Sequence, residues 1–99
     1  MPIAFSTRNV PIPSGKGRRE INESTTFGSR VRSAAVAING FKLDYVDSDH
    51  HINVVEIDSD VSLIEENEVH FLVEVHYADK DFNDAYQGYV QVLVIANVD

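Results

Sequence analysis

An alternation of apolar and polar side chains over nine residues, VHFLVEVHY at 69–77, constrains the fold more than any other feature of the chain. Alternate residues of an extended strand lie on opposite faces of a sheet, so one face would be wholly apolar. A helix would instead need apolar residues three and four positions apart, and no stretch of the chain keeps that spacing over three turns. The segment is predicted to be a half-buried β-strand, with these residues inward: Val69, Phe71, Val73, Val75 and Tyr77.

Other stretches predict further strands. Residues 31–45 alternate in the same way, and the apolar parity switches at 39–40, an Asn-Gly pair that predicts either a β-bulge or a tight hairpin turn. Residues 51–61 predict the next strand, and 65–67 predict a turn. Residues 89–98 are apolar in both parities, as expected of a strand covered on both faces. The predicted fold class is therefore all-β, most simply a small antiparallel β-sandwich.

The first 26 residues differ from the rest in composition. They hold all three prolines and two of the five glycines, with four basic residues against two acidic ones. Proline lacks a backbone N–H and fixes φ, so we expect residues 1–26 to form an extended basic N-terminal arm. A short strand near 3–10 or a flexible tail are the alternatives. The arm is expected to stay out of the core, to precede a β-sandwich domain of 27–99, and to dock on an acidic neighbour.

The net charge of −8 and pI near 4.7 disfavour nucleic acid and anionic membrane as partners. The chain has no cysteine, which excludes disulfides, a thiol nucleophile and Cys-ligated zinc. No apolar run approaches the roughly 20 residues of a membrane span, and the N-terminus lacks the apolar core of a signal peptide. The sequence thus predicts no membrane insertion and no classical signal, and leaves the location open between cytoplasm, unconventional release and a virion.

The stretch DSDHHINVVEIDSD at 47–60 holds side chains from which metal sites are made. His50 and His51 are neighbours in a predicted strand, so they face opposite sides of the sheet and cannot easily share one ion. Zinc sites usually need three or four converging ligands, so no metal site is predicted here. The chain also lacks a nucleophile motif and a phosphate loop, and we therefore predict that it is not an enzyme.

The loop DKDFND at 79–84 resembles the start of a calcium-binding EF-hand loop. It lacks the glycine expected at the sixth position, where Asp84 stands, and the glutamate expected at the twelfth, where Val90 stands. The sequence therefore predicts no cofactor, with calcium bound by this loop in another geometry as the alternative.

Aromatic side chains lie among the polar residues of the same region. Carboxylates and amides are interspersed between 77 and 89 with four aromatic residues: Tyr77, Phe82, Tyr86 and Tyr89. A tyrosine ring beside fixed hydrogen-bonding groups is typical of sugar recognition. The alternative is that the tyrosines complete the core and the acidic residues solvate the loop.

The layout from Phe27 to Ala96 resembles that of the H-type lectin domain. The resemblance lies in Phe27 and then in the segments VAINGF (36–41), HHINV (50–54), VHFLVEVHY (69–77), ADKDFNDAY (78–86) and VLVIA (92–96). It covers about 70 residues and is a pattern of strand lengths rather than a sharp motif. It implies a β-sandwich that forms trimers, with a sugar site at the rim between subunits.

Carried over position by position, the resemblance implies a sugar-binding set of His51, Tyr77, Asp79 and Tyr86. Three departures bear on it. His51 replaces the family's arginine and loses its fixed fork of donors. Tyr77 replaces the usual tryptophan and Val94 stands where a tryptophan often sits, in a chain that has none.

Two functions follow as expectations. The first is a non-catalytic carbohydrate-binding module that acts as a homo-oligomer, with a trimer as the expected form. The alternative is a structural subunit of a larger assembly, such as a phage capsid decoration or tail component, whose arm ties copies together. The expected partners are other copies of the chain, and either a glycan or neighbouring structural subunits.

Overall fold

The computed structural model describes residues 2–46, 52, 54–78 and 84–99. Two antiparallel three-stranded sheets are formed, sheet A in the order β1-β6-β3 and sheet B in the order β2-β5-β4. The predicted all-β antiparallel class is confirmed. In the described ranges no helix is long and apolar enough to cross a membrane. The strands are β1 (Ile3–Gly15), β2 (Arg19–Thr26), β3 (Val31–Tyr45), β4 (Val54–Glu65), β5 (Glu68–Ala78) and β6 (Tyr86–Val98).

The strands are long, and they give the molecule a rod-like shape. Five of the six have 11 to 15 residues, against a usual length of about 5–6. The chain therefore extends over 48 × 18 × 17 Å. The core runs along the rod between the two sheets, and it consists mainly of valines, whose branched side chains suit a pleated surface. Its fully buried members include Val10, Val69, Phe71, Val73, Val75, Val90, Val92 and Val94.

The central strand of sheet B confirms the alternation that predicted it. The five residues of 69–77 predicted to face inward are all buried, and the residues between them, His70, Leu72, Glu74 and His76, are half-buried on the outer face. The predicted turn at 65–67 is also confirmed, because β4 and β5 are joined through Glu66 and Asn67, with Glu66 at φ 56°. Asn67 ties this turn to the β2–β3 connection, where its Nδ2 donates to the carbonyl oxygen of Phe27 at 3.0 Å.

The parity switch at Asn39-Gly40 is a β-bulge and not a hairpin turn. The register between β3 and β6 shifts between Ile38 and Gly40, and β3 then continues to Tyr45 beside the same partner. One extra residue therefore moves the inward positions from even to odd numbers, which is the switch that the sequence shows.

The expectation that residues 1–26 stay out of the core is wrong. β1 pairs with β6 and β2 pairs with β5, so the segment supplies one edge strand to each sheet. Val10 and Ile12 are buried, while Pro11 between them is exposed. Proline is tolerated at a sheet edge because its missing N–H falls on the unpaired side. That the segment docks on a neighbour stays a prediction.

The last strand departs from the sequence analysis in two ways. It begins at Tyr86, three residues before the predicted start. Its even-numbered residues from Val90 to Val98 are buried, but Leu93 and Ile95 on the other face are only half-buried. The strand is thus covered on one face in the single chain, and cover of the second face would need a neighbour.

Candidate functional site: two unlike sheet faces

The structure brings together two of the four residues predicted for a sugar site, but it buries both. The ring centroids of Tyr77 and Tyr86 are 5.8 Å apart, and those of Tyr45 and Tyr77 are 4.7 Å apart. Tyr77 is 7% exposed and Tyr86 is 0% exposed. Burial, with the nearby carboxylate of Asp44, raises the pKa of the Tyr77 hydroxyl.

Polar contacts fix Tyr86 as a structural residue at the end of the rod. Its hydroxyl donates to the carbonyl oxygen of Gly17 at 2.6 Å and lies 3.2 Å from that of Val75. Arg19 covers the ring, with its guanidinium carbon 4.3 Å from the ring centroid, and donates through Nη2 to the Tyr86 carbonyl oxygen at 3.2 Å. Neither this ring nor that of Tyr77 has a face open to a ligand in the single chain.

The remaining predicted residues lie outside the described part of the chain. These are His51 and Asp79 of the sugar set, His50, and residues 79–83 of the acidic loop. The four-residue sugar site and calcium binding by the loop therefore stay predictions. Within the ranges that the structure describes, no three histidine or acidic side chains converge to hold a metal ion.

The outer face of sheet A, formed by the outward side chains of β1, β6 and β3, carries an apolar patch among uncharged polar residues and is called the sheet A face below. Phe5, Ile95 and Ala35 lie side by side in one row across the three strands. Thr7, Leu93 and Ala37 form the next row. Phe5 is 66% exposed and Ile3, beside it on β1, is 54% exposed. Monomeric soluble proteins rarely expose contiguous apolar patches, so a face of this kind indicates an interaction surface.

Charge on the sheet A face is confined to its two ends, where opposite charges are paired. At one end Arg32 Nε lies 2.5 Å from Asp99 Oδ1, and at the other Lys42 Nζ lies 3.9 Å from Asp44 Oδ2. The rows between them are uncharged. In a chain of net charge −8, this face is therefore close to neutral.

The outer face of sheet B, formed by the outward side chains of β2, β5 and β4, is acidic and is called the sheet B face below. Glu20, Glu74 and Asp58 lie opposite one another in a row across the three strands. Like charges directly opposite in a sheet are destabilising. Arg18 offsets part of this repulsion: its Nη2 lies 2.6 Å from Glu56 Oε2 and its Nη1 lies 3.9 Å from Glu74. Glu56 accordingly raises the pKa of Arg18.

A small pocket opens near the Lys42–Asp44 end of the sheet A face. Lys42, Asp44, Gln87 and Tyr89 line it, and its volume is about 290 Å³. Lysine and amide groups offer donors, the carboxylate and amide oxygens offer acceptors, and the Tyr89 ring, 37% exposed, offers an apolar surface. The pocket can thus present hydrogen bonds and an aromatic face to a small polar molecule.

Sequence reasoning missed the division of charge between the two faces because it divided the chain by segment. The signal was present in the alternate positions of each strand, which are charged on β4 and uncharged on β1. Glu56, Asp58 and Asp60 alternate on β4, whereas Ile3, Phe5 and Thr7 alternate on β1 without a charge. Reading it required knowing that β1 and β4 belong to different sheets, which parity alone does not tell.

Comparisons of the chain with models of known protein families, with curated proteins and with solved structures give no match. The likeness to the H-type lectin domain accordingly stays a prediction based on the spacing of strands along the sequence.

Proposed function

We propose that the chain is a non-catalytic structural subunit that joins other copies in a larger assembly through the sheet A face. One observation carries the proposal: the uncharged rows centred on Phe5, Ile95 and Ala35 lie opposite an acidic face on the other sheet. Such a subunit presents the apolar face to its neighbours and the charged face to solvent. The burial of Tyr77 and Tyr86 favours this function over the predicted sugar site.

The dimensions of the face suit a stable contact. Stable interfaces bury about 800 Å² on each partner, which is of the order of one whole side of a rod 48 Å long and 18 Å wide, so a stable contact would use the polar rows and paired ends of this face as well as its apolar rows. Each Å² of apolar surface removed from water contributes roughly 25 cal/mol, so the half-exposed Phe5 and its neighbours would supply much of the driving force.

Electrostatics also favours the sheet A face as the contact. Two chains of net charge −8 repel each other at long range. Contact through the sheet A face turns both acidic faces outward and keeps Glu20, Glu74 and Asp58 of one copy a sandwich thickness away from the interface. Added salt should therefore strengthen the association.

The test is the molar mass at micromolar concentration, measured by light scattering for the parent chain and for two matched variants. Ala35→Glu places a carboxylate on the edge strand β3, in the apolar row with Ile95 and Phe5. Ser62→Glu places the same charge at an exposed position of β4. We expect an oligomeric parent, loss of the oligomer in Ala35→Glu, and retention in Ser62→Glu.

The outcome is decisive in both directions. A monomeric parent chain at all concentrations and salt levels would make the proposal wrong, as would equal dissociation by both variants. The mass of the parent also gives the number of copies: the resemblance implies three, whereas two-fold contacts give an even number. Circular dichroism of each variant checks that the β fold is retained.

Carbohydrate binding is the second candidate, and the pocket beside Tyr89 favours it. Its contacts would differ from the four residues predicted from the sequence, since Lys42, Asp44 and Gln87 would hold the hydroxyls and Tyr89 the apolar face of the ring. The test is a glycan array, with and without calcium. Binding that is lost in Tyr89→Ala and kept in Tyr77→Phe would support this pocket, whereas a blank array removes the candidate.

A further inference from the structure

We propose that the N-terminal half of β1, from Ile3 to Asn9, pairs edge to edge with the same segment of a second copy. The two three-stranded A sheets then become one six-stranded sheet. This inference rests on the proposed assembly function and adds a second contact to it. A single two-fold contact ends at a dimer, whereas a larger assembly needs two different contacts on each subunit.

The first observation is the direction of the backbone groups of β1. The amide N–H of Val98 donates to the carbonyl oxygen of Pro2 at 3.0 Å, so these residues form a hydrogen-bonded pair. Bonded and non-bonded pairs alternate in an antiparallel ladder, and the register has no shift from Ile3 to Ile12. Even-numbered residues of β1 therefore direct their backbone groups to β6, and odd-numbered residues direct theirs away from it.

The outward-directed groups differ between the two halves of the strand. In the C-terminal half the outward positions are Pro11 and Pro13, which have no N–H, and Arg19 Nη1 donates to the Pro13 carbonyl oxygen. In the N-terminal half the outward positions are Ile3, Phe5, Thr7 and Asn9, each with an N–H and a carbonyl. In the described part of the chain, no strand lies beside them. Proline protects one half of this edge against pairing and leaves the other half open.

The two lateral sides of the sandwich, where an edge strand of sheet A lies beside an edge strand of sheet B, also differ. On one side the edge strands β3 and β4 pack closely against each other, so that side is closed. On the other side β1 and β2 make few contacts, among them the 2.9 Å hydrogen bond between the hydroxyls of Ser6 and Thr25. The open half of β1 therefore lies on the open side of the rod, where a second strand has room.

A second copy fits this edge in one register. If Ile3 pairs with Asn9 and Phe5 with Thr7 of the other copy, all four outward residues of each chain are used and Pro11 falls just beyond the pairing. The two-fold axis passes between the two copies of Ser6. The paired outward side chains carry no charge, although each chain has a net charge of −8. The pairing also joins the two sheet A faces into one continuous surface.

Removal of one outward N–H tests the pairing. Thr7→Pro deletes a donor that β6 does not use, so the monomer fold should be kept. The symmetric dimer loses two hydrogen bonds, and its dissociation constant should rise at least about tenfold. Thr7→Ala keeps the N–H but removes the same hydroxyl from the sheet A face, so it is the matched control, and its dissociation constant should stay at least about tenfold below that of Thr7→Pro. Sedimentation equilibrium gives the constants and circular dichroism checks the fold.

A disulfide tests the register, and it does so even if Thr7→Pro fails to fold. The chain has no cysteine, so a single introduced thiol is unique. In the proposed register the two copies of residue 6 are directly opposite, with Cα atoms about 4.5–5.5 Å apart, within reach of a disulfide. Ser6→Cys should therefore form a covalent dimer under mild oxidation. Asn9→Cys should not, because its two thiols lie roughly 20 Å apart along the strands.

The outcomes separate this inference from the function on which it rests. A parent chain that is monomeric throughout overturns both. An oligomer that survives Thr7→Pro unchanged, or that crosslinks no faster through Ser6→Cys than through Asn9→Cys, leaves the assembly function standing and makes the β1 pairing wrong. In that case the edge is left to solvent or to a strand of a different protein.

Discussion

Arg19 lies over Tyr86 with its guanidinium carbon 4.3 Å from the centroid of the buried ring, and the two residues together close one end of the rod. The cation also donates to the carbonyl oxygens of Pro13 and Tyr86, so it binds the end of β1 to the start of β6. A basic residue from the segment expected to leave the core thus holds a tyrosine expected to bind sugar. Each residue thus finds its partner inside the chain, and the sugar site to which Tyr86 was assigned stays a prediction.

The first prediction is that Arg19→Ala destabilises the fold by about 2 kcal/mol. The substitution leaves two carbonyl oxygens without their charged donor and removes the cation from the ring. Arg8→Ala is the matched control, since Arg8 makes only a solvent-exposed 3.4 Å contact with Glu23 and should cost less than about 0.5 kcal/mol. Urea unfolding followed by circular dichroism measures both. Equal losses of stability in Arg19→Ala and Arg8→Ala would show that the stacking of Arg19 on Tyr86 contributes nothing specific.

The sequence predicted where the strands lie better than it predicted which strands pair with each other. The period-2 patterns of 31–45 and 69–77 placed β3 and β5 because local burial alone decides such patterns. The fate of 1–26 depended on long-range pairing with β5 and β6, and proline content argued against it. Once β1 is known to be an edge strand, Pro11 and Pro13 become compatible with it. That knowledge comes only from the assembled sheet.

The second prediction concerns Gly88, which has φ 154° at a point where β6 runs close to β3. A Cβ at this position would lie 1.7 Å from the carbonyl oxygen of Lys42, a backbone atom that cannot turn aside. Gly88→Ala should therefore cost more than about 3 kcal/mol or prevent folding.

Gly40→Ala is the control for Gly88→Ala. Its Cβ would meet only the flexible side chain of Gln91, at 3.8 Å. We expect a change within about 1 kcal/mol, measured by thermal unfolding alongside Gly88→Ala. If the two variants melt at the same temperature, β6 and β3 do not approach as closely as the structure has them.

The third prediction is that Glu20→Gln stabilises the chain by about 0.2–1 kcal/mol at low salt. Glu20 stands directly opposite Glu74, which in turn stands opposite Asp58, so one change relieves repulsion along the row. The gain should disappear near 1 M salt, where charges about 5 Å apart are strongly screened. Urea unfolding at two salt concentrations gives the comparison. A gain that does not depend on salt would point to a cause other than charge.

The candidate site was less accessible to sequence reasoning than the fold was. The tyrosines of 77–89 were predicted to lie around one polar loop, but Tyr77 and Tyr86 are buried whereas Tyr89 is exposed. Spacing along a strand tells which residues share a face, whereas exposure also depends on what the opposite sheet supplies. Here Arg19 and Gly17 from the first quarter of the chain cover Tyr86.

The fourth prediction is a loss of stability at high pH that depends on Tyr77. Burial, and then the charge of Asp44, raise the pKa of this hydroxyl in the folded chain above the value of about 10 that it has when unfolded. As the pH rises through about 10, the unfolded chain releases a proton that the folded chain still holds. The folded state then binds more protons than the unfolded state, so the free energy of unfolding falls with increasing pH.

Tyr77→Phe removes this titration while keeping the ring in the core. The free energies of unfolding of the parent and the variant should differ least near pH 8, and the parent should lose more stability than the variant between about pH 9 and 11. Lysine deprotonation affects both chains alike and cancels in the difference. Urea unfolding at constant ionic strength measures this difference in the free energy of unfolding between parent and variant. A parent and variant that lose stability in parallel would mean that Tyr77 is not protected from solvent, and its ring would again be open to a ligand.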